Sequence, residues 1–106
     1  MQLMSNVSLS MKRPEYLLSV TAAASCDVVT IHGDRTGLVV LRDRINELLA
    51  KLDQEECDHE HFRTPEWAGF ELSTSMLDDE RSSGHSTVHH LELFAWTTEW
   101  KAKHGL

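Results

Sequence analysis

At 106 residues, with 41% hydrophobic and 25% charged residues, the chain has the size of one domain that buries a core without disulfides or metals. A net charge of −7 argues against direct nucleic-acid binding, for which a basic face is expected, and suits an acidic surface that meets a basic protein. No run approaches 18 apolar residues, and Cys26 and Cys57 form no CxxC pair, so neither a membrane span nor a disulfide framework is expected.

In chain order, residues 1–13 are polar, weakly patterned and without a basic leader or apolar run of signal length. They are expected to be poorly ordered or to add an edge strand through Val7–Met11, ahead of a single α+β domain over 14–106 in a cytoplasmic protein. Glu15–Thr21 alternates as a strand with Tyr16, Leu18 and Val20 on one face. Asp27–His32 is β-branched and closed by Gly33-Asp34, so the two strands pair as a hairpin. Asp34 to Leu52 predicts the one long helix. Leu38, Leu41, Ile45, Leu48, Leu49 and Leu52 share an arc of roughly 100°, Asp34 is placed to cap it, and Val39 and Val40 fall off the stripe.

The acidic run after Leu52 suits a solvated loop, because acids at a helix C-terminus meet the negative end of the dipole. From Asp58, alternation puts His59 and His61 on one face of a short strand and Glu60 on the other. Arg63–Gly69 reads as a turn anchored by Trp67, Phe70–Leu77 as a fourth strand and Asp78–Gly84 as an acidic turn. His85–Thr97 is the longest strand candidate, with His89, Leu91, Leu93 and Ala95 on one face and Val88, His90, Glu92, Phe94 and Trp96 on the other. The tail through Trp100 either extends that strand or folds back as a short turn. The order β-β-α-β-β-β predicts a mostly antiparallel sheet of about five strands, with one amphipathic helix packed on one face. The opposite face would then expose Val88, Phe94 and Trp96 to a partner or to a second copy.

Five of the seven histidines lie between residues 59 and 90. An HxH pair on a strand sets two imidazoles about 6.5–7 Å apart, compatible with a divalent ion such as zinc held by His59 and His61 with His89 or His90. The many carboxylates offer the same histidines ordinary hydrogen-bond partners, so no cofactor is the default. Catalytic patterns are poor. Cys57 near His59 and His61 sits in an acidic setting that raises a thiol pKa, Gly84-His85-Ser86 lacks the glycine of a nucleophile elbow, and the GDRTG run lacks the lysine of a phosphate loop. The residues therefore point to a non-enzymatic protein.

The run IHGDRTGL with its helix, then DHEHF, then EWAGFELSTS, then a strand ending near Trp96, resembles the immunity protein 32 family of bacterial polymorphic toxin systems. The matching residues are Gly33, Asp34, Gly37 and Leu38 at the strand-turn-helix, Asp58, His59 and His61 in the second motif, and Leu72 and Ser73 in the third. The match runs from about residue 15 to 96, and Asp58 stands where glutamate is expected. The resemblance implies an α+β immunity protein that neutralises a cognate toxin by binding it, with no catalytic residue to carry over. The binding surface is expected to include Glu55, Glu56, Asp58 and Glu60, with Asp78, Asp79 and Trp96.

Overall fold

Two antiparallel sheets joined by one bent stretch of chain organise residues 14–106, the residues described by the computed structural model. Residues 1–13, including the expected edge strand at Val7–Met11, lie outside them. In chain order the elements are β1 (Leu18–Ala22), β2 (Val29–Gly33), helix α1 (Arg35–Asp53), β3 (Asp58–Arg63), a 3-10 turn (Pro65–Trp67), a short helix α2 (Asp78–Ser82), β4 (Ser86–Thr87), β5 (His90–Ala95) and helix α3 (Thr98–His104). The α+β class and the antiparallel pairing are as expected, but the strands divide into a three-stranded sheet, β2-β1-β4, and a two-stranded ribbon, β3-β5.

The division comes from the last long strand. Its alternation reads as unbroken from His85 to Thr97, yet the chain changes partner at Val88–His89. The Val88 amide donates to the Val20 carbonyl at 2.8 Å, and one residue later the His89 carbonyl accepts from Thr64 at 3.0 Å. The irregularity shifts the alternation by one residue. Val88 thus joins Leu91 and Leu93 against the buried cluster of Leu18, Val20, Phe62 and Leu72, instead of sharing a face with His90, Glu92 and Phe94.

Phe70–Leu77 does not form the expected strand. The Leu72 amide donates to Arg63 at 3.0 Å and the Ser73 amide to Leu18 at 2.8 Å, so the segment ties β3 to β1 by single bonds and leaves fully buried Leu72 between them. Gly69 permits the return, because a Cβ there would lie 2.3 Å from that of Arg63. Asp78–Gly84 is a helix more than a turn. The Glu80 carboxylate accepts from the Leu77 amide at 3.0 Å, and three acids stand at the positive end of the dipole. The tail is also helical, capped by the Thr97 hydroxyl on the Trp100 amide at 3.1 Å and ended by Gly105 in the left-handed region.

Helix α1 forms where expected but presents a different arc. Asp34 caps it as predicted, accepting from the Gly37 amide at 2.8 Å, and its second oxygen accepts from Leu17 at 3.0 Å. Those two backbone hydrogen bonds hold the Asp34 carboxyl below its ordinary pKa. Gly37 then lies directly on β1's approach, since a Cβ there would come 1.8 Å from the Leu17 carbonyl oxygen. This contact sets the rotation of the helix. Gly37 and Leu48 are buried and Val40 and Leu41 pack on the core, whereas Leu38, Ile45 and Leu49 of the predicted stripe are exposed. The buried arc is turned by roughly 70° from the leucine stripe, which brings Arg44 inward. Its guanidinium pairs with Glu60 at 2.8 Å and lies 5.6 Å over the Phe62 ring.

The reverse face of the three-stranded sheet is already roofed, contrary to the expectation of one free sheet face. Ser19 and Thr21 are buried there, and Glu80 of α2 accepts from the Thr21 hydroxyl at 2.9 Å and from His32 Nε2 at 3.0 Å. The His32 hydrogen bond, with those from Leu77 and Thr21, lowers the Glu80 carboxyl from 4.5 to about 2. Among the described residues the ribbon β3-β5 keeps an open outer face, and on the other sheet Val29 and Ile31 of β2 are exposed at the edge, away from Glu80. Among the described residues, no helix is long and apolar enough to cross a membrane.

Two measurements check this packing. Gly37→Ala is expected to lower stability by about 2–3 kcal/mol, and Tm by on the order of 10 °C, although alanine is the better helix former; an unchanged or raised Tm would contradict the close approach to Leu17. For Glu80, a depressed folded-state pKa means stability present above the unfolded value of 4.5 and lost as pH falls from there toward 2. Urea midpoints at about pH 6, 4 and 3 should show that decline, and Glu80→Gln should lower the midpoint at pH 6 while flattening the acid limb.

Candidate functional site

Pairing in the ribbon sets its outer face residue by residue. His59 stands opposite Phe94, His61 opposite Glu92 and Arg63 opposite His90, while Asp58, Glu60 and Phe62 with Ala95, Leu93 and Leu91 point to the other side. The outer side chains form a continuous aromatic row. His59 stacks on Phe94 with centroids 4.9 Å apart, Phe94 on Trp96 at 5.2 Å, Trp96 on Trp100 at 3.8 Å, and Trp100 on His104 at 3.9 Å. At the other end, His61 meets His90 at 4.9 Å and Trp67 lies 6.2 Å from His90. Phe94 is 43% and Trp67 54% exposed, so the row faces solvent. Helix α3 extends it past the strand: one turn places Trp100 over Trp96, and His104 Nδ1 donates to the Trp100 carbonyl at 2.9 Å.

Three side chains converge at the middle of this face. His61 Nδ1 and His90 Nε2 share a hydrogen bond of 2.7 Å, and Glu92 Oε2 lies 3.4 Å from the first and 3.7 Å from the second. Of the histidines expected to hold a metal, His61 and His90 are in this group. His59 lies edge-on to His61 with centroids 4.7 Å apart, and His89 points elsewhere. His89 Nδ1 shares a 2.7 Å hydrogen bond with the buried Thr64 hydroxyl, and its ring lies parallel to Trp67 at 5.9 Å. His89 thus ties the 3-10 turn to the bend in the strand.

The acidic residues expected to bind a partner are distributed, not gathered. Glu60 faces inward to Arg44. Asp58 and Glu56 flank Lys51, whose Nζ lies 3.6 and 3.8 Å from their carboxylates. The Asp58 carboxyl is held below its ordinary pKa, first by the His59 amide and then by Lys51. Asp78 and Asp79 begin α2, which packs on the other sheet, and Asp78 pairs with Arg81 at 2.9 Å. Besides Asp58, whose carboxylate lies 4.0 Å from His59 Nδ1, Glu55 reaches the aromatic row. It lines a depression of about 270 Å³ with Leu52, Trp96, Thr97, Thr98 and Glu99. Trp96 is therefore placed where an aromatic anchor and two acids meet.

Cys57 is held by structure. Its sulfur accepts from the Thr97 amide at 3.5 Å and lies 3.7 Å from the Thr97 hydroxyl, joining the start of β3 to the cap of α3. That contact gives the thiol a packing role, and among the described residues its hydrogen-bond partner is Thr97. Sequence reasoning missed Trp67, Trp100, His104 and Glu99 as parts of the face, and Glu92 as the neighbour of His61. The spacing of His90 and Glu92, two apart on a strand, was the available signal; register supplied the rest.

Among known families, the model described as Immunity protein 32 matches residues 28–91. Neither a curated protein nor a solved structure gives a match.

The near-parallel indoles of Trp96 and Trp100 should couple their transitions and give a far-ultraviolet circular dichroism couplet. Trp100→Phe is expected to remove the couplet with little change in Tm; a couplet that survives would place the two rings apart.

Proposed function

The chain belongs to the Immunity protein 32 family, whose model covers more than half of it, and from that premise we propose that it binds and neutralises a cognate protein toxin without chemistry of its own. Family membership carries the reading, and the outer face of β3-β5 supports a surface for it. A row of exposed Phe94 and half-buried Trp96 and Trp100 supplies rigid anchors of the kind that dominate interfaces, and Glu55 and Glu99 beside Trp96 supply charge. A net charge of −7 suits a basic partner and speeds encounter with one. Neutralisation would be by occlusion, the face covering the toxin's active cleft, and on this reading the encounter takes place in the cytoplasm.

Co-expression with the toxin domain encoded beside the gene is expected to restore growth, with one-to-one co-elution that weakens as salt is raised. Trp96→Ala should weaken binding at least about tenfold, near 1.4 kcal/mol, chiefly through faster dissociation. Glu55→Lys with Glu99→Lys should mainly slow association. Full toxin activity in the presence of excess protein would overturn the reading. A stable dimer by light scattering that Trp96→Ala dissolves would assign the face to self-association.

A further inference from the structure

We propose that His61, His90 and Glu92 form a zinc site on the outer face of the β3-β5 ribbon, with a fourth position open to water. The donor set is two imidazoles and one carboxylate, which suits zinc and other borderline divalent ions better than calcium or magnesium. Their ligand atoms already lie within 4.8 Å of one another.

Distances support a compact tetrahedral arrangement. With zinc–ligand bonds of about 2.0–2.2 Å, neighbouring ligand atoms stand roughly 3.3–3.5 Å apart. The His61–Glu92 separation of 3.4 Å fits that edge, and the His90–Glu92 separation of 3.7 Å is close to it. The His61–His90 separation of 2.7 Å is a hydrogen bond between the two nitrogens, which one proton must bridge. A metal ion would take the place of that proton, and the nitrogens would move apart by about 0.6 Å to reach a tetrahedral edge. Both rings are partly exposed, at 31% and 23%, so small side-chain rotations suffice.

The backbone holds the group in place before any ion arrives. His61 and Glu92 are directly paired across the ladder, and His90 is two residues from Glu92 on the same strand and face. The ring of His59 stands edge-on to His61, and Trp67 is tilted beside His90, so the neighbours limit ring rotation. His59 and His89 fall outside the set for geometric reasons, His59 being stacked on Phe94 and His89 bonded to Thr64. Arg63 shares the face opposite His90 and opposes a second positive charge, so the ionised Glu92 is needed to offset it.

The test uses tag-free full-length protein, stripped with chelator and titrated with zinc chloride by calorimetry, with no toxin present. The expected result is one zinc per chain. His61→Ala, His90→Ala and Glu92→Gln should each weaken binding by at least roughly tenfold, and His104→Ala should leave it within about twofold. Cobalt in place of zinc should give the intense visible absorption of a tetrahedral site, lost in His61→Ala. Circular dichroism of each variant confirms that it is folded. Absence of saturable one-to-one binding, or binding retained by the folded His61→Ala/His90→Ala double variant, would overturn the proposal. Because toxin is absent from every arm, either result leaves the neutralisation reading to its own test.

Discussion

Helix α1 can lie against β1 only because Gly37 has no side chain. The Leu17 carbonyl occupies the space that a Cβ would need, and Asp34 ties the same two backbones together, one oxygen on the Gly37 amide and the other on the Leu17 amide. The Asp34 amide completes the junction by donating to the Leu17 carbonyl at 3.0 Å. A cap and a close approach at one corner fix both the direction of the helix and its rotation. With that rotation set, Arg44 turns toward β3 and is half-buried, where Glu60 meets it with a charge-assisted hydrogen bond. Glu60 is thereby withdrawn from the surface. The placement of one glycine near the start of the helix decides which side of β3 carries free charge.

The second constraint is the bend at Val88–His89. A strand paired with β1 at one end and β3 at the other must turn from one sheet into the next, and Val88 must stay in the core while it does so. The shift places His90, Glu92 and Phe94 together on the outside of the ribbon, opposite Arg63, His61 and His59. The other sheet differs, its exposed apolar residues being Val29 and Ile31 on the edge strand β2. Its reverse is closed by Glu80, whose carboxylate serves α2, Thr21 and His32 together. A five-residue helix is too short to be stable alone, and the buried polar contacts of Glu80 hold it against β1.

These two constraints account for where charge and aromatic surface lie. Much of the acidic run after α1 is answered nearby, by Lys51 at Glu56 and Asp58 and by Arg44 at Glu60, so the negative net charge is not concentrated at the run. What remains at the ribbon is mixed: rings in register, Glu92 among histidines, and Glu55 and Glu99 at the Trp96 end. A surface of that kind offers shape and stacking as well as charge.

The α+β class, the hairpin, the Asp34 cap and the single long helix were legible in the sequence because each depends on neighbours a few residues apart: β-branched runs, a Gly-Asp turn and a repeating apolar spacing. The alternation of His59, Glu60 and His61 was legible for the same reason, and so was the outward position of Trp96's neighbour Phe94. Tertiary structure alone decided that the leucine stripe is not the buried arc, that Phe70–Leu77 bridges two strands without joining a ladder, and that His61 meets His90 and Glu92 while His89 turns to Thr64. In each case the deciding contact joins residues far apart in the chain. Strand register and helix rotation are set by the whole core at once, and a shift of one residue moves a side chain to the opposite face.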